Sequence, residues 1–406
     1  MSGPSSSLVC LTTSAAFGGA ETSLLTLLTA LSALDRPPRI TVVTPGPGPL
    51  AERCRTLGFG VVELPYPASL NALGESGATA ARRTGVNRAA LLIDGVRTAI
   101  ALPGYLKSLR EVLRRTHATV VHSNGLKAHV AAALVKPSGT RLVWHLHEYV
   151  RSRPLTARLL RLLASRADVI VANSESVLRD AAMVVGARAP LRCIHNAVDP
   201  AIFSPEGPPL DLAALAGLPP DHGLVRIGLV STFARWKGHE VFLEAIALLR
   251  ARHPVRAYVI GGAVYATAGS QWSPAELQTL AAARGLSDTV GFTGHVDNVP
   301  AALRSLDIVV HASTEPEPFG MVIAEGMATR RAVVAARGGG AAELFDDRVS
   351  AIGYTPGDAA ELAARLAELV VDATRRDAIA ATARSAAIDR FSPERMARAF
   401  REAYAG

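Results

Sequence analysis

The sequence predicts two doubly wound α/β domains in tandem, each built on a parallel sheet. Three observations carry that expectation. Short apolar runs alternate with amphipathic stretches along the whole chain, the pattern of βαβ units. A segment rich in proline and glycine, residues 201–223, interrupts the alternation midway. At 406 residues the chain also exceeds the roughly 100–200 residues typical of one domain.

Before the interruption, strands are expected at 8–13, 39–44, 60–64, 118–123, 141–146, 168–173 and 191–195. A glycine pair, Gly18-Gly19, follows the first strand, and a helix is expected over 20–34. Residues 66–97 are long for a connection and carry Arg82, Arg83 and Arg88. Long connections of this kind often carry function. After the interruption, strands are expected at 225–231, 255–262, 289–294, 307–313 and 331–336. A helix should begin near Gly320. Ser392, with Glu394 close behind, marks the start of a terminal helix. The domains are therefore expected at 1–200 and 201–389, with a terminal helix over 390–406 packing back on the first. Two such domains facing each other would form a cleft, with hinges near 196–205 and before the terminal helix. Ligands of open α/β sheets bind outside the carboxyl ends of the strands, so the chemistry should lie in the strand-end loops.

Composition excludes several classes. Hydrophobic residues make up 49% and aromatics 5%, enough apolar material for sizeable cores. No stretch approaches the roughly 20 uninterrupted apolar residues of a membrane span. The first residues lack a basic segment before their apolar run, so no signal peptide is expected. Cys10, Cys54 and Cys193 lie far apart without a CxxC pair, which argues against a disulfide framework or a zinc site and fits a reducing cytoplasm. The net charge is +8 and uneven: residues 1–200 hold 23 Lys and Arg against 12 Asp and Glu. A basic first half points to an anionic partner or a membrane surface, or to solvated arginine-rich faces. Nucleic acid is a poor fit, since the basic residues are not interleaved with aromatics.

The most informative segment is HASTEPEPFGMVIAEGM, residues 311–327. A buried strand ends at Ser313, a proline-rich turn follows, and a helix begins near Gly320. Free N–H groups at a helix start attract phosphates and sugar hydroxyls. Glu317 in the turn and Glu325 on the helix can face one ligand, and a carboxylate accepts well from vicinal hydroxyls. Taken alone, the pair reads equally as a helix-capping glutamate and a solvated one. Arg235 and Lys237 follow the strand ending at Ser231, where a basic pair can neutralise a diphosphate as it departs. The alternative is a surface pair flanking Trp236.

With these residues the chain resembles the retaining glycosyltransferases of family 4, which have the GT-B fold. Their hallmark is a glutamate, seven residues and a second glutamate, with PFG after the first, matched by Glu317 and Glu325. FGGAE (17–21) is similar to the family's glycine-rich loop, and HLHE (145–148) to its His-Asp turn with Glu148 in place of Asp. NSES (173–176) and HNAVD (195–199) resemble the segment leading into the linker. RWKGHEVFLEA (235–245) resembles the diphosphate-binding region, and GGGAAEL (338–344) the glycine loop beyond the glutamates. The family places an arginine where this chain has Thr232, and Arg235 is the nearby substitute. The family's Cys-Gly-x-Pro after the second glutamate is Thr329-Arg330-Arg331-Ala332 here, and the linker's Pro and Gly are His195 and Ala197.

The resemblance implies a metal-independent transfer of sugar from a nucleoside diphosphate sugar, with UDP-sugars favoured, to an unknown hydroxyl acceptor, without cofactor. His147, Glu317, Lys237 and Arg235 are the implied catalytic set. Gly18, Gly19, Gly262, Thr293, Gly294, Phe319, Gly320, Met321, Val322 and Glu325 are the implied donor contacts. His122, Asn124 and Arg82, Arg83 and Arg88 are expected on the acceptor side. His145 is expected on the opposite strand face from His147, as a core histidine. A cytoplasmic protein, free or peripheral at the inner membrane face, would follow. The competing readings are a GT-B epimerase or phosphorylase and a non-catalytic binder of nucleotide sugars.

Overall fold

The computed structural model describes residues 6–67, 88–263 and 270–406. It divides into two compact units, residues 1–197 with 393–406, and residues 198–392.

The first unit is a seven-stranded sheet, all parallel: β1 (Ser7–Thr12), β2 (Arg39–Thr44), β3 (Gly60–Glu63), β4 (Val120–Asn124), β5 (Arg141–Leu146), β6 (Val169–Ala172) and β7 (Leu191–Cys193), in the order 3-2-1-4-5-6-7. Its helices are α1 (Gly19–Ser32), α2 (Pro49–Thr56), α3 (Arg88–Arg115), α4 (Leu126–Val135), α5 (Pro154–Leu163) and α6 (Glu175–Val185). Central strands covered on both faces must be apolar on both, and β1 and β5 are: every residue of β1 is buried, and so are Leu142 to Leu146.

The second unit carries a helical turn α7 (Leu212–Leu215) and a six-stranded parallel sheet. Its strands are β8 (Val225–Val230), β9 (Val255–Ile260), β10 (Val290–Gly294), β11 (Ile308–His311), β12 (Ala332–Ala336) and β13 (Ile352–Tyr354), in the order 10-9-8-11-12-13. The helices are α8 (His239–Arg250), α9 (Pro274–Ala283), α10 (Val299–Arg304), α11 (Met321–Ala328), α12 (Ala359–Val371) and α13 (Ala373–Phe391). The last helix, α14 (Pro393–Ala405), returns to the first unit, where Met396, Ala397 and Phe400 join the core under α1.

Several expectations need correction. Residues 88–97 are not connection but the first turns of α3, which runs 28 residues and tolerates Pro103 within it. Arg82 and Arg83 lie outside the described residues, as does the Arg88 side chain. The proline-rich segment is not a free linker. Phe203, Leu210 and Leu212, spaced between its prolines, pack into the core of the second unit, and Leu210 N–H donates to Ala301 O. Strand β13 was not expected: at three residues it is too short to show a period, and its neighbour β12 supplies the pairing.

The sheet orders locate the functional edges. In an open parallel sheet a crevice opens where the strand order reverses. That point lies between β1 and β4 in the first unit and between β8 and β11 in the second.

Candidate active site

In the second unit, both strands at the reversal end in polar residues. The chain leaves β8 through Ser231 and Thr232, and β11 ends at His311. The segment after β8 forms a short helical turn, Arg235–Lys237, and Gly238 then starts α8. Gly238 has φ +75°, and a Cβ there would lie 1.8 Å from Ala312 O. Only glycine lets the Lys237 loop lie against the β11 end so closely.

That approach builds a cluster. Lys237 Nζ lies 2.5 Å from Glu317 Oε1. His311 Nε2 donates to Glu317 Oε2 at 2.7 Å, and Ser313 Oγ donates to the same oxygen at 2.5 Å. The backbone fixes the carboxylate further: Glu317 O accepts from Gly340 N–H at 2.8 Å, which ties the turn to the glycine loop 338–340. Burial pushes the Glu317 carboxyl up, but the Lys237 ammonium and His311 together hold it well below the usual carboxylate range. Glu317 is therefore a buried, ionised group with both oxygens accepting.

Glu325 is its opposite. It sits half-buried on the fifth residue of α11, and among the described residues no side chain pairs with its carboxyl. Burial pushes it up to about 7. Helix α11 starts at Gly320, whose φ of +93° turns the chain in, and Phe319 is buried edge-on against Phe391 at 5.8 Å. The amides of Met321 and Val322, in the first turn, have no acceptor among the described residues. One uncommitted carboxyl and two uncommitted N–H donors thus share a helix whose start adjoins the Glu317 turn. Such a set can accept from vicinal hydroxyls and donate to an anion.

The structure does not bring Arg235 into this cluster. Its guanidinium stacks over Trp272 at 3.7 Å and pairs with Glu276 at 3.2 Å, whereas Lys237 lies over Trp236 at 4.1 Å and reaches Glu317. At the edge of the same sheet, Gly262 lies just past β9 and Thr293 and Gly294 end β10, and Gly294 O accepts from Gly261 N–H at 2.9 Å. A Cβ on Gly261 would meet Ser231 O at 1.9 Å.

In the first unit, Gly18 is the residue before α1, extended at φ −135°, and a Cβ there would lie 3.0 Å from Glu21 Oε2. His147 follows β5, and its Nε2 donates to Asn124 Oδ1 at 2.6 Å. Burial lowers His147 to about 3, so the ring is neutral at physiological pH. His122 is wholly buried and its Nδ1 bonds the Tyr404 hydroxyl at 2.8 Å, so it serves the core under the terminal helix and presents no face to a ligand. His145 is a core histidine but not on the opposite face. Residues two apart on a strand share a side, and its ring centroid lies 4.0 Å from that of His147.

Sequence reasoning missed His311 and Ser313 as partners of Glu317, and Gly238 and Gly261 as points of close approach. His311 was findable: it ends the strand that leads into the glutamate turn.

Comparison with known proteins bears on the family and the fold. A family model described as Glycosyltransferase Family 4 matches residues 17–202, and one described as Glycosyl transferases group 1 matches residues 218–386. Over 183 residues the chain is 32% identical to a lipopolysaccharide core biosynthesis mannosyltransferase, LpcC, of Rhizobium leguminosarum bv. viciae, covering 45% of this chain and 49% of that one. Over 195 residues it is 34% identical to a D-inositol 3-phosphate glycosyltransferase of Stackebrandtia nassauensis, covering 46% and 42%. The matches thus span about half the length of these relatives. Among solved structures, Anabaena Alr3699/HepE in complex with UDP superimposes with a TM-score of 0.78 at 24% identity, over 98% of this chain and 99% of that one. A glycosyltransferase from Rickettsia africae ESF-5 does so with a TM-score of 0.75 at 18% identity, over 98% of each. At these identities the superpositions show a shared fold.

Proposed function

The chain belongs to the group 1 glycosyl transferases, its first half matching glycosyltransferase family 4, and from that premise we propose that it is a retaining, metal-independent transferase moving a sugar from a nucleoside diphosphate sugar to an acceptor hydroxyl. The observation that carries the reading is the cluster at the β8/β11 reversal: ionised Glu317 held by Lys237, His311 and Ser313, next to a helix bearing an unpaired Glu325 and free amides.

Glu325 accepts from the ribose hydroxyls, and Glu317 from the sugar. Phe319, Gly320, Met321 and Val322 line the donor, with the Met321 and Val322 amides turned to the diphosphate. Gly262, Thr293 and Gly294 border the nucleotide. Lys237 has three N–H groups, and Glu317 takes one, leaving two for the leaving diphosphate. In the first unit, neutral His147, Asn124 and the Gly18-Gly19 turn are assigned to substrate contacts. A UDP-sugar donor is favoured because the Anabaena protein of like fold is bound to UDP. Cys10, Cys54 and Cys193 form no disulfide among the described residues, and the wide spacing of the cysteines fits a reducing cytoplasm.

In the front-face step the bond from the anomeric carbon to the diphosphate oxygen breaks. The acceptor oxygen bonds to that carbon from the same side, and its proton passes to the departing phosphate. Lys237 and the helix-start amides stabilise the charge that develops there. The test is proton NMR of the sugar released from a UDP-sugar, read faster than mutarotation. The donor's own anomer should appear first; the opposite anomer would refute the mechanism. A sugar 1-phosphate formed only when inorganic phosphate is added would mark a phosphorylase instead.

A further inference from the structure

Helix α5 carries an apolar stripe that nothing in its own unit covers. Residues advance 100° around a helix. Leu155, Leu159 and Leu162 therefore fall within one 60° arc, and they are 71%, 48% and 76% exposed. The opposite side bears Leu160 and Ala157, which pack into the core, with Ala164 continuing that side just past the helix end. The stripe is thus a second apolar face, added to the one the fold needs. Met183 on the neighbouring helix α6 is also exposed, and the Arg151 guanidinium, just before α5, reaches its Sδ at 3.3 Å.

Along α5 and its flanks the charge has one sign. Between Glu148 and Asp168 the chain has five arginines, Arg151, Arg153, Arg158, Arg161 and Arg166, and no acidic residue. Among the described residues, only Arg153 of these five is held in an ion pair, with Glu148 at 2.6 Å. Arg158 adjoins the leucines on the helical wheel. Monomeric proteins rarely leave such an apolar strip open, and a helix with leucines on one side and arginines beside them is the form that lies in a lipid interface.

We propose that α5 docks this protein on an anionic lipid surface, with Leu155, Leu159 and Leu162 in the acyl boundary and the arginines on the headgroup phosphates. No described helix is long and apolar enough to cross a membrane, so the attachment is peripheral. The topology gives the docking a use. Helix α5 starts at the carboxyl edge of its sheet, the edge that bears His147 and the Gly18-Gly19 turn. An acceptor carried by a lipid is presented there without leaving the surface. This inference stands on the helix alone and does not depend on the assignment of the donor site.

The test is co-sedimentation of the full chain with vesicles of phosphatidylcholine alone or mixed equally with phosphatidylglycerol. Binding should require phosphatidylglycerol and weaken with salt, because the arginine contacts are screened. Leu155→Ser/Leu162→Ser should cut binding by about tenfold or more, and Arg158→Gln/Arg166→Gln should lower it and flatten the salt dependence. These positions are exposed, so both variants should keep the wild-type melting temperature and UDP affinity. Wild-type protein left in the supernatant with anionic vesicles at low salt would overturn the proposal. So would vesicle binding that the leucine variant leaves intact, or a concentration-dependent dimer, seen by sedimentation velocity, that the same variant abolishes.

Discussion

The Lys237–Glu317 pair should be among the most stabilising contacts of the second unit. The side chains are 17% and 10% exposed, so water screens the pair little. Breaking a buried pair by removing one partner costs roughly 3–5 kcal/mol, because the other charge is left uncompensated. His311 and Ser313 still hold Glu317 in Lys237→Met, which puts that variant at the lower end. Glu317→Gln meets a different obstacle. Both carboxylate oxygens accept in the native cluster, so the amide nitrogen of glutamine would either face the donor-only Lys237 or force His311 and Ser313 to give up donating, and in both orientations Lys237 loses its counter-charge. For a unit of this size each kcal/mol lowers the melting temperature by about 2–4 °C, so either variant should melt roughly 6–20 °C early. The double variant should cost less than the sum, with a coupling of about 2–3 kcal/mol. Trp236 and Trp272 lie in this unit and Trp144 in the first, so tryptophan fluorescence during urea unfolding follows the second unit when read in a Trp144→Phe background. The pH dependence has a definite sign. Glu317 is held below its unfolded value of about 4.3, so its stabilisation is full above that pH and is lost as pH falls further. The gap between wild type and Glu317→Gln should therefore be constant from pH 6 to 8 and close below about pH 4. Single variants within about 0.5 kcal/mol of wild type, additive in the double, would refute the reasoning.

Further outcomes are expected. Glu325→Gln should stabilise the ligand-free protein above pH 7 and hardly at all at pH 4: burial raises this carboxyl from about 4.3 to about 7, so its ionisation opposes folding increasingly as pH rises between those values. Urea unfolding at both pH values checks this. Gly238→Ala should destabilise by about 2 kcal/mol or more, since its Cβ would overlap Ala312 O at 1.8 Å and φ is +75°; thermal unfolding reads it. Lys237→Ala should depress turnover by about 100-fold or more, while Arg235→Ala, whose guanidinium belongs to Glu276 and Trp272, should change it little. Steady-state kinetics with a UDP-sugar separates the two. Turnover should show no inflection between pH 5 and 8 from His147, which burial keeps neutral throughout.

Much of this was legible in the sequence, and the exceptions share physical causes. Long apolar strands such as 39–44 and 141–146 announced themselves because burial on both faces demands continuous hydrophobicity. β13 did not, because three residues show no period. Residues 88–97 were hidden because Pro103 lies inside their helix: a proline reads as a helix breaker, so the turns before it look like more of the connection. At the site, the glutamates and Lys237 were readable because their residue types and spacing carry the chemistry. Their partners were not. His311 belongs to a strand that reads simply as buried, and Arg235 looks identical to Lys237 until the fold gives it Trp272 and Glu276. Gly238 reads as one helix-start glycine among many, and only the Ala312 carbonyl beside it shows why no side chain fits.

The central claim is that the second unit binds a nucleoside diphosphate sugar through two carboxylates with separate tasks. Calorimetric titration of UDP and GDP at pH 8, where Glu325 is ionised, tests it most directly. Wild type should bind one of them. Glu325→Gln should lose about 1.5–3 kcal/mol of that affinity, the worth of hydrogen bonds to a charged acceptor. Glu317→Gln, measured well below its lowered melting temperature, should keep the affinity for the bare nucleotide and lose turnover. Unchanged UDP and GDP affinity in Glu325→Gln, or equal loss of binding in both variants, would contradict the account.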